Sequence, residues 1–483
     1  MTTPFPQSMD FAGHNEPVRI ECDIFDLVVE GEIPAEINGC WYRSIPDPQY
    51  PPLPGTDVFI SGDGMVSVFN FENGHVDFKM KYVMTERLKN DRAARRSLYG
   101  VYRNPFTDDP SVAGQGRGVA NTTPVYHGGK LLALKEDSRA MELDPVTLAT
   151  IGEWDFDGKL KSQTMTAHTR LDPDTGELYF YGYEAGGLAT TDISYCIADK
   201  DGNLISEQWF QAPYCAMMHD FAISKEHAIF PVFPTVCEME TLKAGGSHWA
   251  WDPSRNTYVG IMPRNGKVSE MRWFEGPPCF SYHMMNAFTE GNLVHMDLCL
   301  ADVNMFPFIQ EAGGVNVNPK DANGRLARWT FDLSSDANSW TETVLGPDGD
   351  LPRIADKDML KNYEIGYYLH FNPQCGSPIL SGPVGAGFNC LSRINLNSGE
   401  LKSFSIPGTT LQEPVHIKSS QAQHEGYLLL VCDQHEKNLA EVLLLEAEHV
   451  DKGPVAIIKM PMRFRCGVHG NWVPADAFQN QDL

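Results

Sequence analysis

Four histidines stand out by their surroundings. His168 lies in TMTAHTRLDP, His219 in APYCAMMHDFAIS, His283 in CFSYHMMNAF and His469 in RCGVHGNW. Each stands among small, apolar or sulfur-bearing neighbours, at the start or end of an expected strand. The chain has fifteen histidines, and most are expected at the surface or as satisfied core residues. His75, His127, His227, His248 and His435 sit in turn-like or charged stretches. Neutral imidazoles suit zinc, copper, iron and nickel. Four of them leave the full charge of a divalent ion in place. An octahedral ion held this way keeps two open positions, enough for dioxygen and one further ligand. A four-ligand structural zinc is the competing metal reading, but such sites usually use clustered cysteines. The eleven cysteines here are scattered and form no CxxC pair.

Residues so far apart in sequence can meet only if the fold converges them. Helical periodicity is scarce. It is clearest over Met84 to Ser97, with a shorter candidate from Asp356 to Lys361. Strand-turn-strand patterns are everywhere. FNFENGHVDFKMKYV is two alternating runs around Glu-Asn-Gly, and MELDPVTLATIGEWDF, RLDPDTGELYFYGY, CIADKDGNLISEQWF, WTFDLSSDANSWTETVL and SRINLNSGELKSFSI follow the same plan. No βαβ rhythm is present, which argues against a Rossmann or TIM-barrel fold. A closed or radial all-β architecture answers so many sheet edges. Division into seven blades would give roughly 70 residues each, more than common propeller repeats use, and would leave room for long loops on one face. The pattern predicts a β-propeller, with a multi-sheet sandwich as the alternative; it does not fix the blade number. In a propeller the innermost strand of every blade faces one axis, so widely spaced histidines converge.

The bulk properties exclude other classes. Net charge is −25 over 483 residues, which argues against a nucleic-acid or anionic-membrane surface. There is no P-loop and no GxSxG elbow, and His424-Glu425 and His435-Glu436 lack the second histidine of a zinc-protease helix. GPVGAG, residues 382–387, reads as a turn rather than a dinucleotide loop. The first residues, MTTPFPQSMDFAGHNEP, have neither a basic nor an apolar segment, and no apolar run reaches membrane-spanning length. With its scattered cysteines, the chain is expected to be soluble, reduced and cytoplasmic.

The four histidine stretches resemble, in order, the iron-binding motifs of the carotenoid cleavage oxygenases. These are non-haem iron(II) dioxygenases on a seven-bladed propeller. EIPAEINGCWYR and FISGDGMVSVFNF resemble the first blade of that family, and LALKEDSRAMELDPVTL and LQEPVHI resemble its glutamate-bearing segments. The likeness runs from about Val28 to Trp472. It implies one propeller domain over residues 1–483 with an N-terminal arm of about 1–27, and long loops and short helices capping one face over an axial metal. It implies one Fe(2+) per chain on His168, His219, His283 and His469. Glu136 and Glu413 would accept the ligands' other N–H groups. The family's third glutamate precedes a Leu/Phe-Pro pair; here GDLPRI puts Asp350 in that place, one methylene shorter.

Within the family the sequence most resembles the bacterial stilbene-cleaving branch, through Lys135 in LALKED, Tyr102 in YGVYRNP and Phe59 in DVFISGDG. That likeness implies dioxygenase cleavage of the central C=C bond of 4-hydroxystilbenes, giving two aromatic aldehydes. Lys135 and Tyr102 would hold the substrate's phenolic oxygen, and a phenolate there makes the alkene electron-rich. Phe59 and Phe306 are candidates to pack against the rings. A homodimer, or a heterodimer with a related isozyme, is also implied. The alternatives are an apocarotenoid oxygenase, with MFPFI (Met305 to Ile309) as a membrane-touching tunnel mouth, and a non-catalytic propeller used as an interaction platform.

Overall fold

The computed structural model describes residues 3–314, 322–383, 387–421 and 424–478. The glycine-rich stretch expected as a turn lies partly outside them; its first residue, Gly382, has φ +71°. The chain divides into two compact units. The first comprises Met1–Asp157, Leu369–Arg393 and Lys402–Leu483, and the second comprises Gly158–Tyr368 and Ile394–Leu401.

The first unit contains three antiparallel sheets, of five, six and four strands. The hairpin expected at Glu-Asn-Gly is formed by Gly64–Glu72 and His75–Tyr82, paired in unbroken register from Met65↔Tyr82 to Glu72↔His75. Its two turn residues, Asn73 and Gly74, both have positive φ, +51° and +83°. This is the conformation a tight two-residue hairpin needs, and Asn-Gly adopts it at low cost. Alternation buries Val76, Phe78, Met80 and Tyr82 against Trp41, Phe69 and Phe464 in one apolar core. A second core under the four-stranded sheet joins Leu131, Ala133 and Leu143 to Val66 and Val68.

The second unit contains three antiparallel four-stranded sheets and a small three-stranded one. The expected hairpins of RLDPDTGELYFYGY and CIADKDGNLISEQWF form one sheet, Arg170–Leu171, Leu178–Tyr183, Asp192–Ala198 and Leu204–Gln211. The small sheet joins Thr235–Val236, Ala250–Trp251 and Gln310–Glu311, the last pair parallel. Val259, Phe274, Met296, Trp329 and Phe331 belong to one apolar core of this unit.

Helix is confined to short pieces. Among the described residues the α-helices are Glu86–Ala94 and Met239–Lys243. The first lies within the expected span and is shorter at both ends. Thr85 caps it by accepting the Leu88 N–H, and Arg95 ends it in the left-handed region at φ +55°. At the second expected helix only the 3-10 turn Asp356–Asp358 forms. Among the described residues no helix is long and apolar enough to cross a membrane.

Candidate metal and substrate site

Three of the four singled-out histidines belong to the second unit, and their rings converge. His168 precedes the strand Arg170–Leu171, His219 precedes Ala222–Ile223, and His283 lies inside Phe280–Glu290. The Thr166 hydroxyl accepts the His168 backbone N–H at 3.0 Å and fixes the entry of that segment. The Nε2 atoms of His168 and His219 are 3.1 Å apart, and those of His219 and His283 are 3.3 Å apart. Two imidazole nitrogens bound to one ion at about 2.0–2.1 Å stand roughly 3 Å apart. The donor set therefore fits a first-row divalent ion.

Asp350 orients one of these ligands. His283 Nδ1 lies 2.7 Å from Asp350 Oδ1. An ionised carboxylate only accepts, so Nδ1 carries the proton and Nε2 keeps its lone pair for a metal. The aspartate reaches the ring directly although it is shorter than the expected glutamate. The backbone bends to allow it: Leu351 has φ +55°, and its N–H donates back to Asp350 Oδ1 at 2.9 Å.

A buried ion pair absent from the sequence expectations ties the three histidine segments together. Arg170, two residues after His168, contacts both carboxylate oxygens of Asp220 at 2.6 and 2.7 Å. Asp220, one residue after His219, accepts the backbone N–H of Met284, one residue after His283, at 2.9 Å. Arg170 Nε also donates to the Phe221 carbonyl at 2.9 Å. Asp220 is 2% exposed and Arg170 17%, so each needs the other. The signal was in plain view as the charged residues of HTR and HDF.

Adjacent strand residues normally face opposite ways. Tyr282 and His283 escape this rule because the strand bulges. Ser281 pairs with Leu300 and Met284 with Leu298, so two residues oppose one, and the register slips again between Met284 and Asn286. Tyr282 thereby packs edge-on to the His219 ring, with centroids 4.7 Å apart. Its hydroxyl donates to the Met217 sulfur at 3.4 Å. Phe306 continues this aromatic wall, with its ring 3.7 Å from Tyr282 and 6.0 Å from Phe280. Its loop is wound around buried Asn304, whose amide donates to the carbonyls of Phe306 and Ile309 and accepts the Phe306 N–H. Phe306 and Ile309 turn inward, and Met305 is the exposed large apolar residue of MFPFI.

The remaining candidates lie in the first unit. His469 immediately precedes the strand Gly470–Pro474. Its Nδ1 lies 2.9 Å from Glu413 Oε1, and Glu413 Oε2 accepts the Gly470 N–H at 2.9 Å. His469 thus has the same carboxylate-fixed tautomer as His283. Lys135 and Tyr102 are buried together, with the ammonium 5.5 Å from the Tyr102 ring centroid and 3.4 Å from Glu136 Oε2. Burial alone would favour neutral Lys135. The charges of Glu136 and Asp137 oppose it, and the Lys135 pKa is held above its ordinary value. Burial, partly opposed by Lys135, raises Tyr102, which therefore remains a phenol. Phe59 is fully buried, and the Arg465 guanidinium covers one face of its ring at 3.8 Å. At most the other face is left for a ligand.

Comparison with known proteins places the chain in a family. Residues 15–474 match the family described as RPE65, retinal pigment epithelial membrane protein. The lignostilbene-α,β-dioxygenase isozyme III of Sphingomonas paucimobilis is 40% identical over 480 residues, covering 98% of each chain. The isoeugenol monooxygenase of Pseudomonas nitroreducens is 40% identical over 462 residues, covering 95% of this chain and 96% of its own. The crystal structure of Pseudomonas brassicacearum lignostilbene dioxygenase superposes with a TM-score of 0.94 at 41% identity, over 98% of this chain and 100% of that one. The protein belongs to the RPE65/carotenoid cleavage oxygenase family and is an oxygenase.

Proposed function

We propose that the protein is a dioxygenase that cleaves the central C=C bond of 4-hydroxystilbenes with O2 to give two aromatic aldehydes. His168, His219, His283 and His469 hold one Fe(2+) per chain, which supplies the activation of dioxygen when bound. Asp350 and Glu413 keep Nδ1 protonated on His283 and His469, so that both rings offer Nε2. Glu136 serves a third ligand in the same way.

The observation that carries the substrate reading is Lys135, a buried lysine kept cationic beside Tyr102. A substrate phenol that gives its proton to bulk water on entry is held against them as phenolate, because the ammonium stabilises the anion and the Tyr102 O–H donates to the same oxygen. Lys135 is already protonated, so it stabilises the anion without accepting the proton. The phenolate releases electron density through the ring to the alkene. Tyr282, Phe306 and the open face of Phe59 pack on the rings and exclude water.

The test offers the iron(II)-loaded protein and O2 a 4-hydroxystilbene, its 4-methoxy analogue and an apocarotenal. Two aldehydes from the hydroxystilbene alone are expected. Cleavage of the apocarotenal alone overturns the assignment of Lys135 and Tyr102. A second reading, side-chain cleavage of a phenylpropene, is favoured by the equal 40% identity to isoeugenol monooxygenase. Isoeugenol also carries a phenol conjugated to an alkene, so relative kcat/KM for the two substrates separates the readings. The recurrent four-stranded sheets support a single seven-bladed propeller; residues 1–27 are read as its arm, of which Cys22–Ile24 pairs with His75–Tyr82. Dimerisation, with itself or a related isozyme, completes this reading and is read by sedimentation.

A further inference from the structure

Away from the imidazole site, the second unit holds another convergent set of donors. A thiol sulfur of Cys237, a ring nitrogen of His248 and a carboxylate oxygen of Glu184 lie within 4.8 Å of one another, and all three residues are buried. The sequence placed His248 in a turn-like stretch, yet it is 2% exposed. Its Nε2 lies 3.0 Å from Glu184 Oε2. Cys215 stands at the edge of the group, its sulfur 4.0 Å from Glu184 Oε1. An antiparallel bridge between Ala216 and Val236 brings Cys215 opposite Cys237, and the Cys237 N–H donates to the Cys215 carbonyl at 3.2 Å.

Two chemistries use a thiol, an imidazole and a carboxylate together. In a nucleophile relay the thiol and the carboxylate bond opposite ring nitrogens and stand far apart. Here their donor atoms lie within the same 4.8 Å as the ring nitrogen. The three atoms surround a common point instead of forming a line. Glu184 is a carboxylate removed from water, which is costly unless a positive charge lies beside it. Glu184 is held in place by strain and by the backbone: its φ is +50°, and Oε1 accepts the Ala189 N–H at 2.6 Å.

We propose that Cys237, His248 and Glu184 form a buried structural site for a zinc ion, separate from the catalytic iron, with the Cys215 sulfur beside Glu184 as the candidate for the fourth position. Thiolate with imidazole selects zinc. The ion would fasten the end of strand Leu178–Tyr183 to segments beside Thr235–Val236 and Ala250–Trp251. The last of these pairs with Gln310–Glu311, which follows the Phe306 loop. Zinc would thus steady the aromatic wall from behind.

The test is elemental analysis of purified full-length protein loaded with iron(II) and zinc(II), beside Cys237→Ser and His248→Ala. Because the imidazoles also take zinc, the readout is a difference: one more zinc per chain is expected in the parent protein than in either variant, with the iron content the same in all three. Equal zinc in parent and variants overturns the proposal. Should the variants fail to fold, cobalt(II) titration of the parent protein decides. The imidazole site has no thiolate, so a sulfur-to-cobalt charge-transfer absorption reports the second site, and its absence refutes that site.

Discussion

In the second unit, the imidazoles around His219 and the mixed group around His248 each gather donors from distant strands to within 4.8 Å. One set is uniform and neutral, and two of its three members, His168 and His219, are only partly buried. The other mixes thiol, imidazole and carboxylate and is sealed. Neutral ligands leave an ion its full charge to act on whatever binds beside it, whereas anionic ligands spend that charge on holding the ion. The positioning differs too. The imidazoles are oriented by residues that do not themselves point at the centre, namely Asp350, Asp220 and Arg170. In the sealed set the carboxylate is itself a donor. A reactive centre is built by keeping charge one layer away.

The largest test of that contrast is His219→Ala. It removes the nitrogen that lies 3.1 and 3.3 Å from its two neighbours. Iron content and alkene cleavage should both fall to background while zinc content is unchanged; an active, iron-replete variant breaks the assignment. Next is Asp220→Ala, which strands the Arg170 cation beside the three segments. Loss of one partner of a buried pair costs about 3–5 kcal/mol, to be read as a lowered urea midpoint. The double variant Arg170→Met, Asp220→Leu should recover part of that stability.

Asp350→Asn keeps the shape but weakens control of the His283 tautomer. Loss of such a partner typically lowers metal affinity about 10- to 100-fold, measured by iron competition with a chelator. Asp350→Glu should not restore affinity unless Leu351 is also changed to Gly, since the bent backbone suits the shorter acid. Lys135→Met should lower kcat/KM for a 4-hydroxystilbene by about 10- to 100-fold, the range of a charged hydrogen bond. Because the Lys135 pKa is raised, its charge is fully present below the ordinary value of 10.5 and lost only above it. Lys135 should therefore cost the parent no activity by deprotonating between about pH 6 and 9. In Lys135→Met the bound phenol ionises only nearer its solution pKa, so the ratio of parent to variant activity should shrink as pH rises across this range; a flat ratio would contradict phenolate stabilisation by Lys135. The smallest effect is expected for Tyr282→Phe, which loses only a weak O–H···S contact while keeping the ring against His219; its kcat/KM should change less than about 3-fold.

Most hairpins were legible because alternation and turn chemistry are local: Asn73-Gly74 announces itself. The histidine motifs were legible from their immediate neighbours, and Asp350 from the Leu-Pro that follows it. What could not be read depends on which strands meet. Arg170 and Asp220 were visible as charges but not as a pair, since they lie 50 residues apart. The burial of His248 comes partly from Glu184, 64 residues away. The bulges at Tyr282 and His283 have no glycine or proline to mark them.

Those bulges have an evolutionary consequence. A ligand and a wall residue that are neighbours in the chain can mutate independently: changes at Tyr282 reshape the space offered to a substrate, and His283 need not move. Deleting one residue there would restore strict alternation and turn one of the two side chains away from the site. Substitution at this point tunes selectivity, whereas a change in length destroys it.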